Sequence, residues 1–325
     1  MELNDFLAEW HNDNPRILVH TSGSTGKPKP LMVEKRRMLN SARITCDFLG
    51  LKPGDTALLC MPLDYIAGKM MVVRSLQRDL RLTTVRPSSH PLADETLPHF
   101  TFAAMVPMQV YNSLKVPCER ERLMHIRHLI IGGGAISDEL AQMIKPLPNA
   151  VWSTYGMTET LSHIALRRLN GPDASLWYTP FDGVGISLNA DGCLVIDAPE
   201  VCAEPLATND IALLRTDDRT GKTLFRIKGR KDNVVCSGGI KIQIEEVEET
   251  LRPHLSAPFM IVKKQDEMLG EKAILLTESA DLTHIEEICR NTLPKYWVPR
   301  EFLHIDHLPL TETGKPKRTL PFTPR

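Results

Sequence analysis

The chain has 325 residues, a length that predicts about two domains. Its 39 Lys and Arg residues nearly balance its 40 Asp and Glu residues, so it lacks the basic excess by which proteins displace counterions from nucleic acids. With 42% hydrophobic and 24% charged residues it has an ordinary globular composition, which excludes a disordered chain, and we expect no nucleic-acid partner.

The first half of the chain alternates short apolar runs with stretches of helical periodicity. A strand is predicted over residues 16–20, followed by a loop rich in Ser, Thr and Gly and by a helix over 35–49 that ends at Gly50. Further strands are predicted at 56–60, 102–106, 128–131 and 151–154. Strands separated by helical stretches favour an α/β domain with a mainly parallel sheet.

Beyond residue 182 the predicted strands become closely spaced and separated by turns, as in antiparallel sheets. They fall at 185–188, 193–196 and 211–214. A smaller α+β domain is predicted next, with helices at 245–251 and 283–293 and strands at 259–262 and 273–277. We place the domain boundary in the polar stretch 229–232, which gives an N-terminal domain over 1–229 and a C-terminal domain over 230–325.

The most informative segment is the loop after the first strand. Its glycines allow a backbone to approach a ligand closely, and its hydroxyls and lysines can hold phosphate oxygens. It is not a P-loop, because only two residues separate its glycines and a proline follows its first lysine. A flexible surface loop is the alternative. The candidate phosphate-binding residues are Thr21, Ser22, Gly23, Ser24, Thr25, Gly26, Lys27 and Lys29.

A second segment, 153–160, reads Ser-Thr-Tyr-Gly-Met-Thr-Glu-Thr. The hydroxyl of Thr158 can bond a phosphate, and the carboxylate of Glu159 can hold a magnesium ion among phosphate oxygens. The same two residues would suit the start of a helix, where a Thr can cap the first turn and a Glu favours the helix dipole. Both interpretations can hold at once.

These two segments resemble signatures of the adenylate-forming superfamily, which comprises acyl-CoA synthetases, adenylation domains of peptide synthetases and luciferases. Further matches follow in the family's order, so the resemblance extends from Val19 to about Arg318. They are the triple-glycine loop 132–134, the Thr-Asn-Asp of 208–210, the stretch 229–248 and a closing Leu-Pro-Leu-Thr-Glu-Thr-Gly-Lys at 308–315. Alone, the glycine loop could be a tight turn.

The resemblance implies that the chain binds ATP and Mg²⁺, with Glu159 as the metal ligand. It implies that the ring of Tyr155 stacks on adenine and that Gly133 borders the same base. Asp210 and Arg230 are implied to contact the ribose.

The family also has a mobile C-terminal domain. Asp232 would be the hinge about which it rotates, and Gly238 and Gly239 would line the channel for the pantetheine of coenzyme A. In the adenylating orientation, Lys315 is implied to reach the carboxylate and the α-phosphate. A lysine this close to a carboxyl terminus is otherwise an ordinary solubilising charge.

The implied reaction joins a carboxylic acid to AMP with release of pyrophosphate, and a thiol then displaces AMP to give a thioester. The transition state of the first step gathers negative charge around one phosphorus. Catalysis is therefore expected to be electrostatic, from Mg²⁺ on Glu159, from Thr158 and from Lys315. No side chain acts as a covalent nucleophile, so the seven cysteines need no catalytic role.

The acid is expected to bind beside a segment that begins at Met61. Lys69 and Arg74 are two cations that would suit an acid with a further carboxylate, although both could be exposed helix charges. The spaced pattern Pro-Leu, Ala-Gly and Val-Arg-Ser-Leu over residues 62–76 resembles the branch of the superfamily that acts on o-succinylbenzoate. This acid is an aromatic dicarboxylate of menaquinone synthesis. The candidate acid-binding residues are Tyr65, Lys69, Arg74, Gly132, Ser162 and His163.

Three other functions stay open at this point. The chain could be another acyl- or aryl-CoA synthetase, an adenylation domain that loads a carrier protein, or a nucleotide-binding regulator without catalysis. Only twenty residues precede the phosphate loop, so we expect the N-terminal domain to be truncated at its start relative to the family. A homodimer is compatible with the resemblance.

The amino-terminal sequence lacks the charged and apolar regions of a signal peptide, and no apolar run approaches the roughly 20 residues of a transmembrane helix. The seven cysteines are an odd number and contain no Cys-x-x-Cys pair. These features predict a cytoplasmic protein with neither a disulfide framework nor a structural zinc site.

Overall fold

The computed structural model describes residues 1–20, 30–310 and 317–318. Within these ranges the α-helices are α1 (Leu3–His11), α2 (Lys35–Leu49), α3 (Ile66–Arg78), α4 (Pro107–Lys115), α5 (Pro117–Met124), α6 (Asp138–Ile144), α7 (Ile244–Leu251) and α8 (Leu282–Thr292). Two short 3₁₀ turns lie at Thr158–Thr160 and Lys231–Asn233.

The strands of the N-terminal part are β1 (Arg16–His20), β2 (Pro30–Glu34), β3 (Thr56–Leu59), β4 (Arg81–Thr84), β5 (Phe102–Met105), β6 (His128–Ile131), β7 (Ala150–Gly156), β8 (His163–Arg168) and β9 (Thr179–Pro180). Those that follow are β10 (Gly185–Leu188), β11 (Cys193–Asp197), β12 (Leu206–Thr216), β13 (Thr223–Arg230), β14 (Val234–Ser237), β15 (Ile240–Gln243), β16 (Phe259–Asp266), β17 (Gly270–Thr277) and β18 (Glu301–His304).

A seven-stranded sheet in the order β4-β3-β5-β6-β7-β8-β9 forms the centre of the N-terminal part. The pairings from β4 to β7 are parallel, and β8 and β9 continue the sheet in antiparallel pairings. All four residues of β5 are buried, as expected for a strand covered on both faces. The prediction of an α/β domain with a mainly parallel sheet is confirmed. The loops after β3, β5, β6 and β7 therefore share one edge of the sheet.

Helices α2 and α3 pack against each other on this sheet. α2 buries residues spaced three and four apart, and it ends at Gly50, whose φ of +63° lets the chain leave the helix. α3 is buried over all eight residues from Gly68 to Ser75, so it is a core helix without a wide solvent face. Both Lys69 and Arg74 are buried in it, which contradicts the alternative that they are exposed helix charges.

The C-terminal part contains two more sheets. Strands β10 to β13 form a four-stranded sheet in sequence order, and β15-β14-β17-β16 form another, which β18 extends by pairing with β17 in parallel. Along β17 successive residues face opposite ways: Leu275 joins the apolar cluster with α7 and α8, and Leu276 joins a second cluster with Ile305. The smaller α+β region predicted from the sequence is confirmed.

The chain divides into two compact units. The first comprises Met1–Ser187, Val195–Leu206 and Leu214–Arg226, and the second comprises Leu188–Leu194, Ala207–Leu213 and Ile227–Arg325. The last segment of the second unit begins at Ile227, just before the domain boundary predicted at 229–232. That boundary and the mobility of the C-terminal domain stay predictions. In the part of the chain that the structure describes, no helix is both long and apolar enough to cross a membrane.

Candidate functional site

Two of the predicted ligand loops lie side by side at the carboxyl edge of the seven-stranded sheet. Because β6 and β7 are parallel neighbours, with Ile131 paired to Ser153, the chain leaves both strands at the same place. A Cβ atom added to Gly132 would lie 2.5 Å from Oγ1 of Thr154, so the glycine loop contacts the end of β7. Gly133 has a φ of +79°, a backbone conformation that favours glycine. The structure thus brings the loop predicted to border adenine next to the turn that carries Tyr155.

The turn after β7 is held by its own buried hydroxyl. Thr160 is fully buried; its Oγ1 donates to the carbonyl of Ser162 at 2.6 Å and accepts from the amide of Met157 at 3.0 Å. Leu161 has a φ of +64°, which is unusual for a residue with a side chain and stores backbone strain. These constraints fix the stretch that presents Thr158 and Glu159.

Glu159 suits a magnesium ion that is bound jointly with a nucleotide. The side chain of Glu159 is exposed, whereas Thr158 beside it is buried. Among the described residues there is no group of three or more His, Cys, Asp or Glu side chains that could hold a metal ion alone. Mg²⁺ usually takes one or two carboxylates and completes its shell with water and substrate phosphates. One exposed carboxylate therefore fits the ion, provided that ATP supplies the other oxygens.

The ring of Tyr155 belongs to an aromatic cluster. Its centroid lies 5.0 Å from that of Phe225 and 5.7 Å from that of Tyr178, and these last two rings are stacked. The hydroxyls of Tyr178 and Ser153 are hydrogen-bonded at 2.9 Å. The cluster fixes the direction of the Tyr155 ring, which is half-buried and can offer a face to another flat ring.

In the second unit the predicted ribose and hinge residues lie together. The guanidinium of Arg230 contacts Oδ1 of Asp210 and Oδ2 of Asp232, each at 3.3 Å. Asn209 donates to the same Oδ2 of Asp232, also at 3.3 Å. The backbone before Asp210 is fixed, because Thr208 accepts from its amide and donates to the carbonyl of Leu194. Three residues predicted separately from the sequence thus form one charged cluster.

Gly238 and Gly239 form the two-residue turn between β14 and β15. Their φ values are +57° and +83°, and Ser237 pairs with Ile240 across the turn. Positive φ at both central residues is the geometry that matches the twist of a tight hairpin. A Cβ atom on Gly239 would meet nothing within 4 Å, so backbone conformation and not crowding requires glycine there.

Arg74 is the most unusual side chain near the predicted acid pocket. It is 2% exposed, and its Nη2 donates to Oγ of Ser162 at 2.5 Å. Its Nη1 contacts only the sulfur of Met71, at 3.9 Å, and its buried Nε has no hydrogen-bond partner within the described ranges. Burial lowers the pKa of Arg74 to about 10, which still leaves it charged at neutral pH.

Lys69 does not join Arg74. Its ammonium group donates to the carbonyl of Leu18 in β1 at 2.7 Å and lies 5.8 Å from the ring centre of Phe6. Burial lowers the pKa of Lys69. Five residues turn a helix by about 500°, so the two cations of α3 point about 140° apart. Tyr65 is the N-cap of the same helix and is exposed. Of the predicted acid-binding residues, only Ser162 and His163 are connected to Arg74 by hydrogen bonds.

Two predicted groups fall outside the described residues, namely the phosphate loop 21–29 and Lys315. Three residues after Lys315 in the sequence, Arg318 forms an ion pair that sequence reasoning missed. Arg318 binds both carboxylate oxygens of Glu248, at 2.5 Å and 2.7 Å, and donates to the carbonyl of Ile261 at 2.8 Å. Glu248 is buried and lies four residues after Ile244 and three before Leu251, on the apolar stripe of α7. A carboxylate on such a stripe is the signal that could have indicated a buried partner.

The chain is similar to a known enzyme family and to solved structures. A sequence model of the family described as AMP-binding enzyme matches residues 4–203, more than half of the chain. The solved structure of an acyl-CoA synthetase (AMP-forming)/AMP-acid ligase II-like protein from Dyadobacter fermentans is 34% identical, with a TM-score of 0.67 over 97% of this chain and 91% of that one.

Two proteins of Bacillus are also similar. The 2-succinylbenzoate–CoA ligase of Bacillus mycoides is 26% identical over 94% of this chain and 69% of its own length. The O-succinylbenzoate coenzyme A synthetase of Bacillus subtilis, solved with ATP and a magnesium ion, is 22% identical, with a TM-score of 0.73 over 93% of this chain and 68% of that one. The second likeness shows the fold alone. The chain spans about two thirds of both proteins.

The close packing after β7 makes a prediction about Gly156. A Cβ atom there would lie 2.2 Å from the carbonyl oxygen of Ser162, which is backbone and cannot rotate away. Gly156→Ala should therefore lower the free energy of unfolding by about 2 kcal/mol and displace the 157–160 turn. Gly134→Ala is the control, because its Cβ would meet Pro107 at an ordinary 3.4 Å. Urea unfolding of both variants tests this, and equal stabilities would contradict it.

Proposed function

The chain belongs to the AMP-binding enzyme family, and from that premise we propose that it is an AMP-forming acid–CoA ligase whose acid carries a second carboxylate. The acid we propose is o-succinylbenzoate, the substrate in the names of the similar Bacillus proteins. In the first step a carboxylate oxygen of the acid attacks the α-phosphorus of ATP, and pyrophosphate leaves. In the second step the thiol of coenzyme A attacks the acyl carbon, and AMP leaves.

The observation that carries this proposal is the unpaired charge of Arg74. Within the described part of the chain no carboxylate forms an ion pair with it, and the only ionisable group that raises its pKa is the thiol of Cys46. A lone buried charge is costly, so proteins rarely keep one without a partner or a ligand. A planar guanidinium with unused N–H groups is suited to a carboxylate, which it can bind through two parallel hydrogen bonds.

The position of Ser162 explains why that carboxylate should belong to the acid. Ser162 contacts Arg74 and follows Thr158 and Glu159 in the same constrained turn. A dicarboxylate of the size of o-succinylbenzoate can place one carboxylate at Arg74 and present the other to the turn where the phosphate binds. A monocarboxylic acid would leave Arg74 without its counter-charge.

The remaining residues take the roles that the family resemblance implies. The Thr158 hydroxyl donates to the α-phosphate, and the loop 21–29 and Lys315 supply charge to the phosphates. The carboxylate of Glu159 would hold Mg²⁺, whose charge would offset that of the phosphate oxygens. The Asp210 carboxylate accepts hydrogen bonds from ribose hydroxyls, and Arg230, which already contacts it, orients it. The cytoplasm, where ATP and coenzyme A are supplied, is the proposed location.

A panel of acids tests the substrate. Pyrophosphate release should be fastest with o-succinylbenzoate, slower with benzoate and fatty acids and absent with amino acids. Preference for a fatty or simple aromatic acid would instead indicate another acyl- or aryl-CoA synthetase. Preference for an amino acid would indicate a carrier-loading adenylation domain, and no release with any acid would favour a non-catalytic nucleotide binder.

Replacing Arg74 tests the recognition of the second carboxylate. Arg74→Met keeps much of the buried volume but removes the charge, so the core should stay packed. We expect kcat/KM for o-succinylbenzoate to fall by about 30-fold or more, because a buried charge pair with the substrate is lost. The KM for ATP, measured in the same assays, should stay unchanged. An equal loss of kcat/KM for the acid and for ATP would show that Arg74 does not bind the acid.

Lys315 should act in only one half-reaction. Lys315→Ala is expected to abolish pyrophosphate release but to leave thioester formation from supplied acyl-adenylate largely intact, because its charge serves the transferring phosphate. Lys317→Ala, two residues away, is the matched control and should leave both half-reactions unchanged. If Lys315→Ala slowed both half-reactions equally, the assigned role would be wrong.

A further inference from the structure

A continuous row of hydrogen bonds connects helix α2 to Arg74. Oγ1 of Thr45 donates to the carbonyl of Ser41 at 3.0 Å and lies 3.1 Å from Nε2 of His163. Nδ1 of His163 lies 3.2 Å from Oγ of Ser162, which in turn accepts from Arg74 at 2.5 Å. The row therefore crosses from α2 through the first residue of β8 to the core helix α3.

The direction of each hydrogen bond in the row can be deduced from the number of protons available. The one hydroxyl proton of Thr45 goes to the carbonyl of Ser41, which can only accept. The oxygen of Thr45 must therefore accept from His163, and the proton of His163 lies on Nε2. Nδ1 then carries no proton, so it accepts the hydroxyl proton of Ser162.

The neutral form of His163 that this requires is the form its surroundings favour. The ring is 7% exposed and packs edge-on against Phe181, with 5.5 Å between centroids. Burial and the nearby charge of Arg74 lower the pKa of His163 well below its usual value. With its proton committed to His163, Ser162 presents only lone pairs to Arg74. In a reversed row the Ser162 oxygen would accept from both His163 and Arg74, and its own proton would have no acceptor in the row.

We propose that Thr45 is a positioning residue for the acid substrate, because it sets the proton position on His163 and thereby the orientation of Arg74 through Ser162. His163 and Ser162, which the sequence suggested as direct ligands of the acid, then act mainly through Arg74. Ser162 takes one N–H of Nη2. The other N–H of Nη2 can bind a carboxylate through two parallel hydrogen bonds together with the N–H of either Nη1 or Nε. This inference rests on the proposed function, since it takes Arg74 as the group that recognises the acid.

Two variants at Thr45 test the proposal by kinetics. Thr45→Val keeps the shape but removes the acceptor for His163, and we expect the KM for o-succinylbenzoate to rise about 10-fold, the loss of one buried hydrogen bond. Thr45→Ser retains the hydroxyl and should restore the KM to within about twofold of the wild type. The KM for ATP should not change in either variant. A Thr45→Val enzyme with unchanged KM for the acid, or with equal increases for acid and ATP, would overturn the proposal.

Nitrogen NMR of the full chain with labelled histidine supplies a second readout that needs no substrate. Among the 11 histidines, the signal of His163 is assigned by its loss in His163→Asn. At neutral pH the wild type should show His163 neutral with its proton on Nε2, and Thr45→Val should weaken that preference. A proton on Nδ1 in the wild type would overturn the inference whatever the acid is. If pyrophosphate release is fastest with another acid, the proposed substrate is wrong, but the NMR result still shows whether the hydrogen bonds of the row run in the proposed direction. The kinetic test is then repeated with that acid.

Discussion

The account depends on one charge, the guanidinium of Arg74, which lies in the core without a carboxylate beside it. An uncompensated buried charge costs about 3–5 kcal/mol, so the fold must gain something from keeping it. α3 is buried from Gly68 to Ser75, and the side chain of Arg74 is 2% exposed. The only oxygen that bonds it within the described residues is the Ser162 hydroxyl. This shortage of partners, more than any motif, is the reason for proposing that Arg74 binds an anion.

The proposed anion site and the residues predicted to bind phosphate are connected by a few residues of backbone. Parallel pairing of β6 and β7 places the glycine loop beside the end of β7, and the buried Thr160 hydroxyl closes the turn that follows. The same turn carries Glu159 near its start and Ser162 at its end. In the proposed function, an acid bound at Arg74 would be held by the same turn that presents the predicted phosphate-binding residues. One turn would then both select the substrate and orient it.

Local pattern was enough to predict most elements, because apolar periodicity and glycine stops act over a few residues. The helix over 35–49 and the strand over 128–131 have the predicted bounds, and the contact between the glycine loop and the Tyr155 turn follows from parallel strands. The partners of buried polar groups could not be predicted. Lys69 and Arg74 look alike in sequence, yet one bonds a carbonyl of β1 and the other Ser162. Thr45 escaped notice because its partner is 118 residues away, although a hydroxyl within the buried stripe of α2 was a usable signal.

The central claim is that the chain joins the carboxylate of the acid to AMP. It is tested most directly by tracing an oxygen atom from the acid into the products. o-Succinylbenzoate labelled with the heavy oxygen isotope in both carboxylates is incubated with the chain, ATP, Mg²⁺ and coenzyme A. The masses of the products are then measured by mass spectrometry. Attack of the carboxylate on the α-phosphorus predicts one labelled oxygen in each AMP, none in pyrophosphate, and a thioester that has lost one label. Label in inorganic phosphate with formation of ADP, or unlabelled AMP, would contradict the account.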